Sequence, residues 1–508
     1  MKNKLYTALL GATLLIGMLC SCSDFLNSDP KTFLKENEVY SSCDRIEPLV
    51  SGLYMNWRAQ QKDRLYLLPM MGNDESAESE AQIVWESQQA GLDKYNGELN
   101  SRHSLLTQYW NQYWGVISSA AEVINGAQYV QDDLEKRDIL KAEACFIRAT
   151  QYFSLVQYWG AVPIIDYSRQ IELGTRRQPI ADVWQLIIND LTFAAEHLEK
   201  SVEDKNRVTS GAAKALLGKA YLHADPSTGL RDYGKAAALF KDVIDNHGYQ
   251  LVGNFADLFD CNKPNTTESI YEFQFSHIYP NQNQIQYQLG SRACTHQGSY
   301  WGGYETILPT EYCLNIFEEG DQRFEASIRK EVLFNEAGQP VNWVLYPEEL
   351  GPHIKKYEDP RASNNTWQSG KNVFYLRLAD IILCYAECLN EQGNTNEAVE
   401  QVNVVRRRAW GGVLPDDKVW KTTMGQNEFR EKILDERMRE LCFENWRRMD
   451  LLRTGKLVEY VRSRNHWAKA EGKIQDYHQL YPIPDTEIKN NDDITPEEQN
   501  PGLSLIHI

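Results

Sequence analysis

Apolar positions recur at helical spacing in two blocks of the chain and lose that spacing between them. In the first block, steps of three and four predict helices over 39–59, 108–130, 134–158, 180–200, 210–223 and 232–246. The stretch Lys141 to Pro163 is the clearest. Cys145, Ala149, Tyr152, Val156 and Trp159 share one face, Ala142 and Ala149 keep part of that stripe small enough for a second helix to approach, and Gly160 with Pro163 supplies the stop. The second block predicts helices over 376–392, 396–409, 428–443 and 444–453. From about 249 to 375 the period dissolves into Gly, Asn, Pro and Tyr, with short alternating pieces at 269–275 and 341–346.

Two stretches read as degenerate copies of one helix pair. In 386–406 a helix ends at Gly393-Asn394 and the next opens at Asn396-Glu397-Ala398; in 220–244 a longer turn leads to Tyr233 and Ala236. That is the grammar of tetratricopeptide repeats, where each pair buries its face on the next. The expected fold is mainly α: tetratricopeptide-like helix pairs packed against an irregular, loop-rich half with small β elements. It is one domain over 32–508, with a helical scaffold at about 36–250 and 376–455 and a ligand-side insert at about 251–375.

Lys2 and Lys4 precede an apolar run from Leu5 to Leu19, built like a secretory signal and short for a membrane span. Leu19 and Ser21 stand at minus three and minus one of Cys22, which matches a bacterial lipobox. The expectation is a lipoprotein signal peptide at 1–21, acylation of Cys22, and a short lipidated tether at 22–31.

A formal net charge of −18 repels phosphate backbones and argues against nucleic acid as a partner. Of ten cysteines, eight lie beyond the lipobox, without CxxC or zinc spacing; they read mostly as buried thiols, with a Cys294–Cys313 bridge left open. Glu436, Glu440 and Glu444 form one helical stripe beside Arg437, Arg447 and Asp450, read as ion pairs between adjoining helices rather than an acid/base pair. Arg406-Arg407-Arg408 diverge around a helix and read as paired and solvated. No HExxH, GxSxG or phosphate-loop motif occurs, so no catalytic residue, cofactor or metal ligand is assigned. The loop from Asn73 to Glu80 carries four carboxylates in eight residues; a solvated loop and a calcium site both remain open.

In order along the chain, Ala144 to Pro163, Asn189-Asp190-Leu191, Ala212 to Tyr221, Asp321-x-Arg323, Leu376 to Asp380, Asn403 to Arg408, Glu436 to Arg447, Tyr481-Pro-Ile-Pro and Gln499-Asn-Pro-Gly resemble the SusD/RagB family of nutrient-binding surface lipoproteins. Behind a lipobox, that ordered set covers nearly the whole mature chain. The terminal Ser504 to Ile508 departs from it. Tyr300-Trp301-Gly302-Gly303-Tyr304 puts three rings beside two glycines in an irregular region, and a flat ring suits the CH face of a pyranose. The resemblance brings the early loop to the middle segment, so the candidate ligand-binding residues are Trp301, Tyr300, Tyr304, Trp85, Tyr95, Asn73 and Asp74, with Trp343 and Trp367 as weaker ones.

What the resemblance implies is a non-enzymatic glycan binder, lipid-anchored on the outer membrane and facing the exterior, that delivers oligo- or polysaccharide to a SusC-like TonB-dependent transporter. A peptide-binding RagB-like member, a glycoside hydrolase and a helical-repeat adaptor are the alternatives. The lipobox yields a direct expectation: Cys22→Ser should release the protein from membranes or trap its precursor, and a mature variant still acylated and membrane-bound would remove the anchor from Cys22.

Overall fold

The computed structural model describes residues 36–79, 87–165, 174–290, 303–329, 352–362 and 368–503. Cys22, the signal and tether, Trp85, Cys294, Tyr300, Trp301, Trp343, Trp367, the 341–346 piece and Ser504 to Ile508 lie outside those residues. The first block forms α1 (Cys43–Ala59), α2 (Ser104–Gly126), α3 (Leu134–Trp159), α4 (Ile180–His197), α5 (Ser210–His223) and α6 (Tyr233–Asn246). The second forms α7 (Leu378–Glu391), α8 (Thr395–Ala409), α9 (Gln426–Leu441), α10 (Arg447–Arg453), α11 (Leu457–Arg464) and α12 (His466–Glu471). Asp133, Thr209 and Asp232 cap α3, α5 and α6 by accepting the backbone N–H three residues on. Gly160, at φ +73°, ends α3.

Each helix packs on its successor from α2 to α8, and α1 lies across α2 and α3. The series does not stop at the irregular segment. α6 packs directly on α7, so the insert is looped out of a continuous stack of helical hairpins, an arrangement consistent with the repeat grammar of the sequence. α3 buries more than the single stripe its spacing suggests: Ala144, Phe146, Ile147, Phe153 and Leu155 are as inaccessible as Ala149 and Tyr152. Neighbours on several sides, α1, α2 and α4, account for it.

Four two-stranded antiparallel ribbons are described: β1 (Ser76–Glu78) with β5 (Ile307–Pro309), β2 (Val162–Pro163) with β3 (Arg177–Gln178), β4 (Ser269–Phe273) with β8 (Val373–Arg377), and β6 (Ile328–Arg329) with β7 (His353–Ile354). β4 realises the alternating piece at 269–275, and its Tyr271 stacks on Trp57 of α1 at 5.1 Å. The helix expected from Leu376 instead starts at Leu378, because Leu376 and Arg377 are drawn into β8 by pairing with Tyr271 and Ser269. The C-terminal segment closes the far end of α3: Trp159 Nε1 donates to Pro482 O, Tyr481 N donates to Tyr158 O, and Asn500 Nδ2 donates to Trp159 O.

The Glu436/Glu440/Glu444 stripe pairs as expected, but deep inside the protein. Glu440 accepts from Arg377, Arg408 and Arg323; Glu436 accepts from Arg323, Arg406 and Arg439; Glu444 accepts from Arg377 and Lys356. Arg323, Lys356 and Arg377 come from the insert and its edges, while Arg406 and Arg408 come from α8. Arg406 and Arg408 are therefore buried partners, and only Arg407 of that triplet is exposed. Between the expected helices at 428–443 and 444–453 the chain breaks at Phe443 and Asn445, both in the left-handed region at φ +65° and +68°. Tyr357 Oη donates to the Phe443 carbonyl inside this turn, and Asn445 Nδ2 donates to Tyr66 O.

Burial disfavours the Glu436 carboxylate, yet the guanidiniums of Arg323, Arg406 and Arg439 outweigh it and hold its pKa down at about 2. Glu440 and Asp450 are likewise held below the usual range by their arginines. A folded-state pKa below the unfolded value contributes stability that is complete above about pH 4.3 and is lost as pH falls through the folded value. Stability measured by denaturant titration should therefore be flat with respect to these groups above pH 5 and decline steadily toward pH 2. At neutral pH, Arg377→Met should cost about 3–5 kcal/mol by leaving Glu268, Glu440 and Glu444 short of a cation in the interior. Lys241→Ala, which breaks an exposed pair with Asp245, should leave the unfolding midpoint unchanged.

Candidate ligand-binding site

The early loop and the insert meet at the β1–β5 ribbon, where Ser76 faces Pro309, Ala77 faces Leu308 and Glu78 faces Ile307. Thr310 extends the junction: its N–H donates to Glu75 O and its hydroxyl to Asp74 O. Asp93 clamps the early loop from beneath, accepting from Gly72 N, Glu78 N and Asn465 Nδ2. Burial pushes its carboxyl up to about 6 against those hydrogen bonds. Gly72, at φ +64°, passes so close to Leu92 O and Tyr95 Oη that a Cβ would lie 2.7 Å from each.

Three residues expected at a ligand are structural instead. Asn73 is fully buried: its Nδ2 donates to Pro69 O, and its Oδ1 accepts from Glu75 N and Ser76 N. Asp74 is fully buried and gripped by both arms of Arg447, at 2.6 and 2.7 Å, and by Arg464 at 3.0 Å. Tyr95 is 1% exposed; its hydroxyl donates to Gly72 O and accepts from Arg448. The loop from 73 to 79 is thus an interior segment rather than a solvated one. Asp74 is neutralised by two guanidiniums, and burial raises the Glu75 carboxyl well above the carboxylate range.

Tyr304 differs from these. It is 44% exposed, immediately before the ribbon, and its N–H donates to Tyr287 O at 2.8 Å. The Tyr287 ring, half-buried, meets the Tyr304 ring edge-on, with centroids 4.8 Å apart and planes at 77°. Gly303 makes this approach feasible by close contact rather than by positive φ: a Cβ there would sit 1.9 Å from Tyr287 O. Glu305 follows at φ +51°, its carboxylate 2.8 Å from His353 Nε2. Tyr287 joins the candidate residues although the periodicity missed it; its signal was one ring inside the amide-rich run from Asn281 to Gln288. Asn283 fixes that run by bridging to Ser369 and donating to Lys371 O.

A second cleft, about 410 Å³, lies between α9 and the segment before it, lined by Glu318, Arg406, Lys418, Trp420, Lys432 and Arg439. Its charges pair with one another, as in Arg406–Glu318 and Lys432–Glu428, and Trp420 is only 8% exposed. It presents no open ring face. Among the described residues no group of three His, Cys, Asp or Glu side chains converges as a metal site, and no helix is long and apolar enough to cross a membrane.

The sequence matches the SusD family over residues 227–503, more than half of the chain and inclusive of Tyr287, Tyr304 and α7 to α12. The chain belongs to the SusD family. Residues 24–222 match a second family described as starch-binding and associating with the outer membrane. SusD-like protein P2 of Formosa agariphila is 27% identical over 95% of this chain and 97% of its own length. Starch-binding protein SusD of Bacteroides thetaiotaomicron is 23% identical over 70% of this chain and 72% of its own. The solved structure of a laminarin-binding SusD-like protein superposes with a TM-score of 0.74 at 24% identity, covering 90% of this chain and 99% of that one. The mainly helical SusD fold expected from the sequence is therefore the fold observed.

Asp74 and Gly303 test how tightly this junction is packed. Asp74→Asn should leave Arg447 without its buried counter-charge and lower stability by about 3–5 kcal/mol. Gly303→Ala should lower the Tm and shift Tyr304 fluorescence, because no small movement of backbone opens 1.9 Å to a contact distance. A Tm unchanged in both would mean that the loop is looser than its hydrogen bonds imply.

Proposed function

We propose that this protein is a surface glycan-binding lipoprotein of the outer membrane that captures oligo- or polysaccharide and passes it to a SusC-like TonB-dependent transporter. Family membership across the insert and the scaffold behind it carries the reading. The names of two relatives, a starch-binding and a laminarin-binding protein, favour carbohydrate as the ligand class. The exposed Tyr304 beside Tyr287 supports it with chemistry: an aromatic face for a pyranose, set in a loop region that a rigid scaffold positions. Trp301, Tyr300 and Trp85, named from the sequence, complete the proposed platform, and the buried Asn73, Asp74 and Tyr95 are left out of it. Cleavage of a signal at 1–21 and acylation of Cys22 on the tether at 22–31 would hold the body, from residue 32 on, against the membrane.

The position of the stripe acids supports binding without cutting. Glu436, Glu440 and Glu444 are buried, multiply paired and held ionised, so none is poised to donate a proton to a glycosidic oxygen. The chain from residue 23 on should bind at least one polysaccharide of a panel including soluble starch and laminarin, releasing no reducing sugar. Trp301→Ala and Tyr304→Ala should each weaken that binding at least tenfold, a hot-spot loss of about 1.4 kcal/mol or more, with little change in Tm. Gentle detergent extraction of native membranes should recover a large barrel with the protein. Binding of peptides alone, or sugar release abolished by one Glu or Asp substitution, would overturn the reading.

A further inference from the structure

Tyr304 and Glu305 are consecutive residues with opposite surroundings, the first 44% exposed and the second 2%. Their backbone is tied down over three peptides. Tyr304 N donates to Tyr287 O at 2.8 Å, Glu305 N to Gly290 O at 2.7 Å and Thr306 N to Gln288 O at 2.7 Å, and the Thr306 hydroxyl donates to Gln288 Oε1. The segment thus lies against the short helix Ile285–Leu289 that carries Tyr287. Between the exposed ring and β5, Glu305 holds φ at +51°, in the left-handed region that a residue with a Cβ adopts only at a cost. Such a residue persists where its surroundings over-determine it, and one of the restraints on Glu305 is a histidine.

His353 Nε2 lies 2.8 Å from Glu305 Oε1; the carboxylate accepts, so Nε2 carries the hydrogen. Both side chains are buried. His353 is itself fixed by strand pairing: in the β6–β7 ribbon it faces Arg329, and Ile354 faces Ile328. Lys355 N continues the ladder by donating to Ser327 O, and Glu358 grips Arg329. In the interior a hydrogen bond to a carboxylate is stronger than in water and fixes the direction of the acceptor. A Glu305 side chain held at its far end cannot follow a change of φ and ψ at its own Cα. The bond therefore constrains the peptide that joins Glu305 to Tyr304.

We propose that His353 is a positioning residue for the ligand face: by holding Glu305 in its left-handed conformation, it sets the direction in which the Tyr304 ring meets a saccharide. The inference rests on the reading of Tyr304 as a contact for a pyranose. It extends that site inward, since His353 is buried and acts through Glu305. Without the anchor, Glu305 relaxes toward negative φ, the peptide before it rotates, and the Tyr304 ring leaves its edge-on contact with Tyr287. A ring so released must be ordered again at binding, which weakens affinity without removing any group that the ligand touches.

Glu305→Gly is the direct test, because glycine keeps a positive φ without strain and lacks the side chain that His353 holds. It should raise the Kd for whichever of soluble starch and laminarin the unsubstituted protein binds by roughly tenfold, the loss expected when one hydrogen bond to a charged group no longer serves the site. His353→Ala should do the same, and His353→Gln, whose amide can donate from about the place of Nε2, should restore most of the affinity. In the Glu305→Gly background, His353→Ala should add nothing. Ring orientation has its own readout. In protein labelled with 3-fluorotyrosine, the Tyr304 resonance, assigned by its loss in Tyr304→Phe, should shift in Glu305→Gly and His353→Ala and return in His353→Gln. Variants with a lowered Tm but an unchanged Kd and resonance would overturn the proposal, as would a further loss of affinity from His353→Ala in the Glu305→Gly background. If the unsubstituted protein binds neither polysaccharide, the reading of Tyr304 as a saccharide contact fails, and the resonance alone decides whether His353 positions the ring: a shift supports it and an unmoved signal overturns it. Should His353→Ala not fold, Glu305→Gly and His353→Gln carry the same comparison.

Discussion

Glu440 shares its two oxygens among three guanidiniums drawn from three separate parts of the chain. Arg323 reaches it from the insert, Arg377 from the end of β8, and Arg408 from α8. Removing these charges from water is expensive, so the cluster is held only when every partner is in register; one element displaced leaves an ion unpaired in the interior. The network consequently specifies position more than it adds stability. It decides where the looped-out insert sits on a helical stack that would otherwise close over its absence, since α6 already packs on α7.

From that cluster a chain of firm contacts runs to the candidate site. Glu444 pairs with Lys356; the Phe443–Asn445 turn is pinned by Tyr357 and Tyr66; Arg447, one turn further, grips Asp74. Asp74 O receives the Thr310 hydroxyl, and Thr310 follows the strand that leads back to Tyr304. Two non-glycine residues in the left-handed region are sustained here because the surrounding hydrogen bonds over-determine them. The exposed ring of Tyr304 is the outer end of a buried, directional framework, which would limit the ordering cost of the proposed binding.

The helices were legible because packing on successive neighbours imposes a period on the sequence, and this held for every long helix from α1 to α9. Sequence reasoning faltered where a residue's environment was set by distant chain. Leu376 and Arg377 carry the pattern of a helix start, but β4 recruits them as strand. The four carboxylates at 73–80 look solvated because composition records charge and not the arginines at 447 and 464 that neutralise one of them. Tyr95 was named for its ring, whereas its hydroxyl, shared with Gly72 and Arg448, is what fixes it in the interior. Tyr304 was named as one of three rings beside two glycines in an aperiodic region, and its exposure beside Tyr287 keeps it a candidate.

The two kinds of buried acid divide the labour of the interior. Carboxylates facing arginines, such as Glu436 and Asp450, are held ionised and lock elements together. At the early loop, burial without an equal cationic partner raises Glu75 well above the carboxylate range, whereas Asp93 beneath it, accepting three hydrogen bonds, rises only to about 6. A neutral Glu75 can sit against buried backbone at lower desolvation cost than an ion, which lets the loop from 73 to 79 thread the core. Had all of these acids been ionised and unpaired, mutual repulsion would drive the loop outward and take the β1–β5 ribbon with it. The placement of Tyr304 therefore depends on acids of both kinds: ionised ones that set the insert on the scaffold, and the buried Glu75, which favours its neutral form, beside the strand.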